Sequence, residues 1–182
     1  MDYIKYLEEE HAIINRVLNR VEEKCVSIVE DNKVDIKFFS TFVNFTREFT
    51  DQVHHAKEEG ILFKDMVEII KGPAINVINH GMLVEHQLAR HYIASLDENI
   101  AQYIEYKTPL AKAQILANSL SYVNLMRSHS KKENDLVYPF SERMFEDDTK
   151  EMIQEKFDDY INSKANERKQ KRKDQLLKIL EN

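Results

Sequence analysis

Apolar residues recur along this chain at three- and four-residue spacing, the period of a helix with one buried face. The first stripe is Ile4, Leu7, Ile14, Leu18, Val21, Cys25 and Ile28. A second, broader one holds Phe38, Phe42, Val43, Phe45, Phe49, Val53, Ile61 and Leu62. A third runs through Ile75, Ile78, Met82, Ala89, Ile93 and Leu96, and a fourth through Ile115, Tyr122, Met126, Leu136 and Phe140. Breaks fall between them. Asp31-Asn32 ends a helix of about 3–30, and Gly72-Pro73 ends one of about 35–70. Thr108-Pro109 ends a third, of about 74–105, and opens a fourth, of about 109–145, since proline suits a helix first turn. Pro139 is expected to kink or end that helix near residue 138. A tail of about 148–180 reads as a fifth, highly charged helix. Four long stripes with short connections predict an all-α, up-down antiparallel bundle over residues 1–145. Residues 146–182 would pack on it or extend from it. No internal repeat is evident along the chain.

Composition agrees. Three glycines and three prolines in 182 residues are too few for a turn-rich β fold. A formal net charge of −6 argues against a general nucleic-acid binder, which needs clustered positive charge. Cys25 is the one cysteine, so neither a disulfide framework nor a thiolate metal cluster can be built. It reads as a small buried hydrophobe. A reducing cytoplasm is the expected compartment. The N-terminal residues lack a signal-peptide pattern, and no apolar run approaches the roughly 20 residues of a membrane span. The locally basic run around Glu167–Lys173 reads as a solvated helical face or a docking surface. Leu176, Leu177, Ile179 and Leu180 would hold the tail against the bundle or a second subunit.

The residues that interrupt the stripes carry the chemistry. His11 sits between Leu7 and Ile14, His86 follows Met82, and His129 follows Met126 with Glu133 one turn on. His54 and Glu58 share a face of the second helix. Every core helix thus turns a histidine inward, and two repeat the spacing His-x-x-x-Glu. Residues four apart lie about 5–6 Å apart at Cβ. Buried ionisable groups need partners. A lone histidine in a stripe is ordinarily a satisfied core residue, but four helices doing so together point to a metal centre. Imidazole and carboxylate donors suit iron, and manganese, zinc or a mixed pair are other admissible metals. The carboxylates could bridge two ions that the imidazoles cap. His55 and Glu59 have the same spacing as His54 and Glu58.

These segments resemble a known family. His54-His55-Ala56-Lys57-Glu58-Glu59-Gly60-Ile61-Leu62-Phe63 is similar to the second-helix signature of hemerythrin-like (HHE cation-binding) domains. Gly81-Met82-Leu83-Val84-Glu85-His86 with Arg90 resembles the third, His129 to Pro139 the fourth, and Glu10-His11 falls at the first-helix histidine. The resemblance covers about residues 1–145 and implies an oxo- or hydroxo-bridged pair of iron ions. His11 and His54 would bind one iron, His86 and His129 the other, and Glu58 and Glu133 would bridge. The signature favours His54/Glu58 over His55/Glu59, which becomes a supporting or surface pair. The invertebrate oxygen carriers of this family have five histidines, with a His-x-x-x-His pair on the third helix. Here Met82 and Arg90 stand four residues from His86. His80 is the better aimed of its neighbours for a fifth ligand, ahead of His91.

The resemblance implies binding of, or reaction with, a small diatomic ligand (dioxygen or nitric oxide) or peroxide, in sensing or stress protection. Tyr122 could hydrogen-bond such a ligand, or serve simply as a core aromatic. Two alternatives stand beside this: repair or iron delivery for iron-sulfur clusters, and a helical interaction module with a structural metal. The expected partners are the small ligand and a protein or second copy met through the C-terminal helix, with no nucleic acid or membrane.

Overall fold

In a computed structural model that describes residues 2–181, helix starts sit on side-chain caps. Asp2 accepts from the backbone N–H groups of Ile4 and Lys5, Asp35 from Phe38, Thr108 from Ala111 and Ser163 from Asn166. Each cap satisfies donors that the first helical turn leaves free. Six helices result: α1, Tyr3–Asp31; α2, residues 36–70; α3, residues 73–106; α4, residues 109–144; α5, Asp147–Ile161; and α6, Lys164–Leu180. There is no strand among the described residues. Asn32 and Lys107 close α1 and α3 in the left-handed conformation. Gly72, at φ +44°, turns the chain from α2 into α3. Connections this short leave α1 to α4 only an antiparallel arrangement.

The four-helix bundle is as expected, but the tail, the end of α4 and two stripe positions take a different form. The tail is two helices, because Ser163 caps a new helix one residue after Asn162 ends α5. Pro139 neither ends nor breaks α4, which continues to Met144. A wide turn, Glu133–Val137, precedes it, with the Tyr138 N–H bonded to the Glu133 carbonyl five residues back. This looser winding accommodates a ring that would clash with the carbonyl four residues earlier. It also adds a residue to the turn, so Leu136 is rotated outward, 64% exposed, while Val137 and Tyr138 point in. Ile75, near the start of α3, is likewise exposed.

The core is divided in two. One apolar cluster gathers residues from Ile14 to Ile28 of α1 with Phe42, Phe49, Leu96, Ile115 and Tyr122. The other, at the opposite end, holds Tyr3, Leu7, Leu62, Phe63, Met82 and Tyr138. The C-terminal helices close both. Ile153 and Phe157 of α5 join the second cluster, and Leu176, Leu177 and Leu180 of α6 join the first. Arg172 of α6 also pairs with Glu48 of α2, an exposed contact worth little by itself. No helix of the described residues is long and apolar enough to cross a membrane.

Leu180 is fully buried against the bundle. Leu180→Ala is expected to cost about 2–5 kcal/mol, the range for emptying a leucine site in a packed core. Chemical denaturation of the metal-free protein would measure it, and a loss well under 1 kcal/mol would mean that α6 is not part of the cooperative core.

Candidate metal centre

Between the two apolar clusters lies a polar layer. His54, Glu58, His86, His129 and Glu133 have no exposed surface, and His11 and His55 almost none. Two groups of ligand atoms converge, each within 4.8 Å: His11, His54, Glu58 and Glu133, and His55, Glu58, His86 and His129. Glu58 belongs to both. Its Oε2 lies 3.6 Å from His54 Nε2 and 3.6 Å from His86 Nε2. Glu133 spans them too, with Oε2 3.2 Å from His11 Nε2 and Oε1 3.1 Å from His129 Nε2. Two carboxylates thus stand between two sets of imidazoles, where bridging ligands would.

All six residues expected from the sequence therefore meet in one layer. His80 does not; it is exposed and belongs to neither group. The residue missed was His55. Wide turns explain how adjacent histidines can both face inward. Residues Thr46–His55 are wound so that the Ala56 N–H reaches the Asp51 carbonyl five residues back, and Phe63 does the same to Glu58. Such turns are rare and frequent at functional sites. An even 3.6-residue period puts one of two neighbours off the core, which is why the sequence pattern left His55 outside. The doubled histidine was the available signal. His55 stacks on His86, ring centres 3.8 Å apart.

A ring of acids orients the imidazoles. His54 Nδ1 donates to Glu10 Oε2 at 3.0 Å, His86 Nδ1 to Glu59 Oε1 at 2.7 Å, and His129 Nδ1 to Glu85 Oε2 at 2.8 Å. His11 Nδ1 donates to the Asn134 amide oxygen at 2.7 Å. With each Nδ1 protonated, the Nε2 lone pairs face the centre. His11 and His54 then aim two lone pairs at each other across 2.8 Å, and His86 and His129 across 3.0 Å. Such pairs repel unless a proton or cation lies between them. The acids are neutralised in turn. Lys57, wholly buried, reaches Glu10 at 2.7 Å; Arg90 holds Glu59 and Asp51; Lys132 holds Glu85.

These contacts repeat across the bundle. His11 and His86 are 75 residues apart, as are Glu10 and Glu85, His54 and His129, Lys57 and Lys132, Glu58 and Glu133, and Glu59 and Asn134. The α1–α2 and α3–α4 hairpins thus form the layer as two equivalent halves, a repeat that the sequence reading did not find because the likeness is concentrated at these positions. Phe63, which stacks on His86, corresponds to Tyr138, which stacks on His11. The halves differ there, since the Tyr138 hydroxyl donates to Glu58 Oε1 at 2.5 Å. They differ also at His55, whose counterpart is Ser130.

Buried polar atoms without partners mark where cations belong. Glu58 Oε2, both carboxylate oxygens of Glu133 and both ring nitrogens of His55 have no hydrogen bond. Leaving such groups unsatisfied costs far more than a bundle core tolerates. Nitrogen and oxygen donors in this number fit a pair of borderline divalent ions. Protons fill the role when metal is absent. Burial, then the Glu133 charge, pushes Glu58 well above the carboxylate range. Burial opposes charge on Glu133 as well, but His129 and His11 outweigh it and hold Glu133 well below that range. Burial opposes the His129 imidazolium, yet Glu133 and Glu85 push it up to about 10. Burial drives His54 and His55 down, to the neutral form.

The model of the Hemerythrin HHE cation binding domain matches residues 2–141. The chain belongs to the hemerythrin HHE cation binding family. No curated protein and no solved structure matches it. The third-helix pair of the hemerythrin oxygen carriers has no counterpart here. Met82 lies in the second apolar cluster, and Arg90 is committed to Asp51 and Glu59. The fifth imidazole of this hemerythrin-family layer stands on α2 instead.

Two predictions follow from this charge balance. Glu58, His11 and His129 all have raised affinities for protons, so cations must displace protons held at neutral pH. Metal binding should tighten as pH rises toward the His129 value and release protons; heats of binding that do not vary with the ionisation heat of the buffer would contradict it. Lys57→Met should strand the buried Glu10 carboxyl and cost about 3–5 kcal/mol in denaturant titrations of the metal-free protein.

Proposed function

We propose that this protein is a non-haem di-iron protein that binds or reacts with dioxygen, nitric oxide or peroxide. The observation that carries the reading is the pair of wholly buried carboxylates, Glu58 and Glu133, each facing imidazoles from both halves of the layer. His11 and His54 would hold one ion, His55, His86 and His129 the other, with Glu58 and Glu133 shared. When bound, an iron pair supplies reversible electron exchange and an open position for a small ligand. The two sets are unequal in imidazoles, two against three. An ion held by His11 and His54 would have fewer imidazole ligands than its neighbour.

The remaining residues hold that arrangement. Glu10, Glu59, Glu85 and Asn134 fix the ring planes and tautomers. Such outer partners typically change metal affinity or activity 10–100-fold when removed. Tyr138 holds one oxygen of Glu58, and burial followed by the Glu58 charge keeps its phenol protonated. Leu7, Leu62, Phe63 and Met82 close the layer on one side, and Val53 and Met126 on the other, so that bulk water is kept from the ligands. A role in sensing or stress protection fits a centre whose ligand set is this enclosed. The unpaired carboxylate oxygens weigh against a helical interaction module that holds no metal, while exposure to the small ligands separates one with a structural metal.

Purified protein from iron-replete cells should contain about two irons per chain, as four-helix di-iron bundles do. The reduced protein should change its visible spectrum on exposure to nitric oxide, dioxygen or peroxide. Protein that stays metal-free, or iron-loaded protein inert to all three, would overturn the proposal.

A further inference from the structure

A cavity of about 170 Å³ lies between α2 and α3, against the His55 edge of the polar layer. Thr50, His55, Ala89, Ile93 and Tyr122 line it, with Arg90 at its rim. Two of its walls are polar groups without partners. The Thr50 hydroxyl, on a residue 1% exposed, has no hydrogen bond, and neither ring nitrogen of His55 has one. His55 Nδ1 lies 3.5 Å from Asp51 Oδ1, too far for a good bond. The rim carries charge, but the charges cancel locally. Arg47 pairs with Asp97 at 2.8 Å, and Arg90 with Asp51 and Glu59. The mouth therefore does not favour an anion. An engineered cavity of about 150 Å³ holds xenon or benzene, so this one has ample room for a molecule of two to four atoms.

The duplicated layer supplies an internal control. Three positions 75 residues away in the other half carry larger apolar side chains, Ile14 for Ala89, Leu125 for Thr50 and Met126 for Asp51, while Leu18 stands for the isomeric Ile93. His55 corresponds there to Ser130. The space thus goes with small residues at 50 and 89, in the same half that gains the additional histidine. The cavity opens toward solvent at its charged rim, so the small side chains at 50 and 89 leave a half-open space that ends on His55.

We infer that this cavity is the access route and holding site for the small ligand, an uncharged species the size of dioxygen, nitric oxide or hydrogen peroxide, and that His55 is the side chain it meets first. The inference rests on the small-ligand reading of the centre. The Thr50 hydroxyl offers a hydrogen bond to a held molecule, and Ala89 and Ile93 give it an apolar floor. The ligand therefore approaches the side with three imidazoles, opposite the side with two. His55 stacks on His86 and makes a 3.5 Å contact with Asp51 at the cavity wall.

The test uses xenon and nitric oxide. Crystals of the purified protein under xenon pressure should show a xenon atom beside Ala89 and Thr50. Ala89→Ile and Thr50→Leu each copy the filled half; either should abolish that site. With iron content unchanged, each should slow nitric oxide binding to the reduced protein roughly tenfold or more, as expected when binding must await a conformational change. Two variants are used because one could disturb folding near His86. No xenon in the wild-type cavity overturns the inference, as does an unaltered nitric oxide rate in a folded, iron-loaded variant that has lost the xenon site. Wild-type iron protein that ignores nitric oxide, dioxygen and peroxide sinks the functional reading instead, and xenon still decides whether the cavity takes small molecules.

Discussion

Two carboxylates, Glu58 and Glu133, are buried without any exposed surface at the middle of a helical bundle. An isolated carboxylate at such a place would cost several kcal/mol even after relaxation. The rest of the molecule is organised around that cost. Five imidazoles surround the pair, and three acids and the Asn134 amide orient four of them through Nδ1. Lys57, Arg90 and Lys132 then balance the acids. Charge alternates outward in layers, from carboxylate to imidazole to acid to cation. Bound cations would complete the innermost layer, and in their absence protons on Glu58 and His129 take up part of it.

The same constraint shapes the backbone. Wide turns occur in α2, early α3 and α4, while α1 carries His11 on regular winding. They let His54 and His55 share the core, set Tyr138 over Glu58 and carry α4 past Pro139. The apolar core is consequently split into two clusters, each too small to close alone. The C-terminal helices complete them, α5 with Phe157 beside Tyr3 and α6 with its leucines beside α2. Lys57 ties this cover to the centre. Its ammonium bonds Glu10 and lies 5.1 Å from the Tyr6 ring and 5.4 Å from the Tyr160 ring of α5.

The layer is built twice, and the two halves disagree at a few positions. Equivalent histidines, glutamates and lysines recur at a constant separation, which gives the two groups of ligand atoms nearly equal surroundings. Tyr138 in place of Phe63, and His55 in place of Ser130, make them unequal. Ala89 and Thr50, in place of Ile14 and Leu125, line a cavity beside His55.

Much of this was written in the sequence. Helix limits followed from Asp31-Asn32, Gly72-Pro73 and Thr108-Pro109, because turn and proline geometry are local. The apolar stripes determined the bundle, since helices of that pattern have one way to bury them. His11, His54, Glu58, His86, His129 and Glu133 were legible because each interrupts a stripe. What an even helical period could not convey was decided by tertiary structure. It brought in His55 and excluded His80, because wide turns rotate side chains by amounts that only packing fixes. It turned Leu136 outward and Tyr138 inward for the same reason, and divided the tail at Ser163. It also paired the two halves of the layer, whose matching residues lie far apart in the chain and become comparable only when four helices set them face to face.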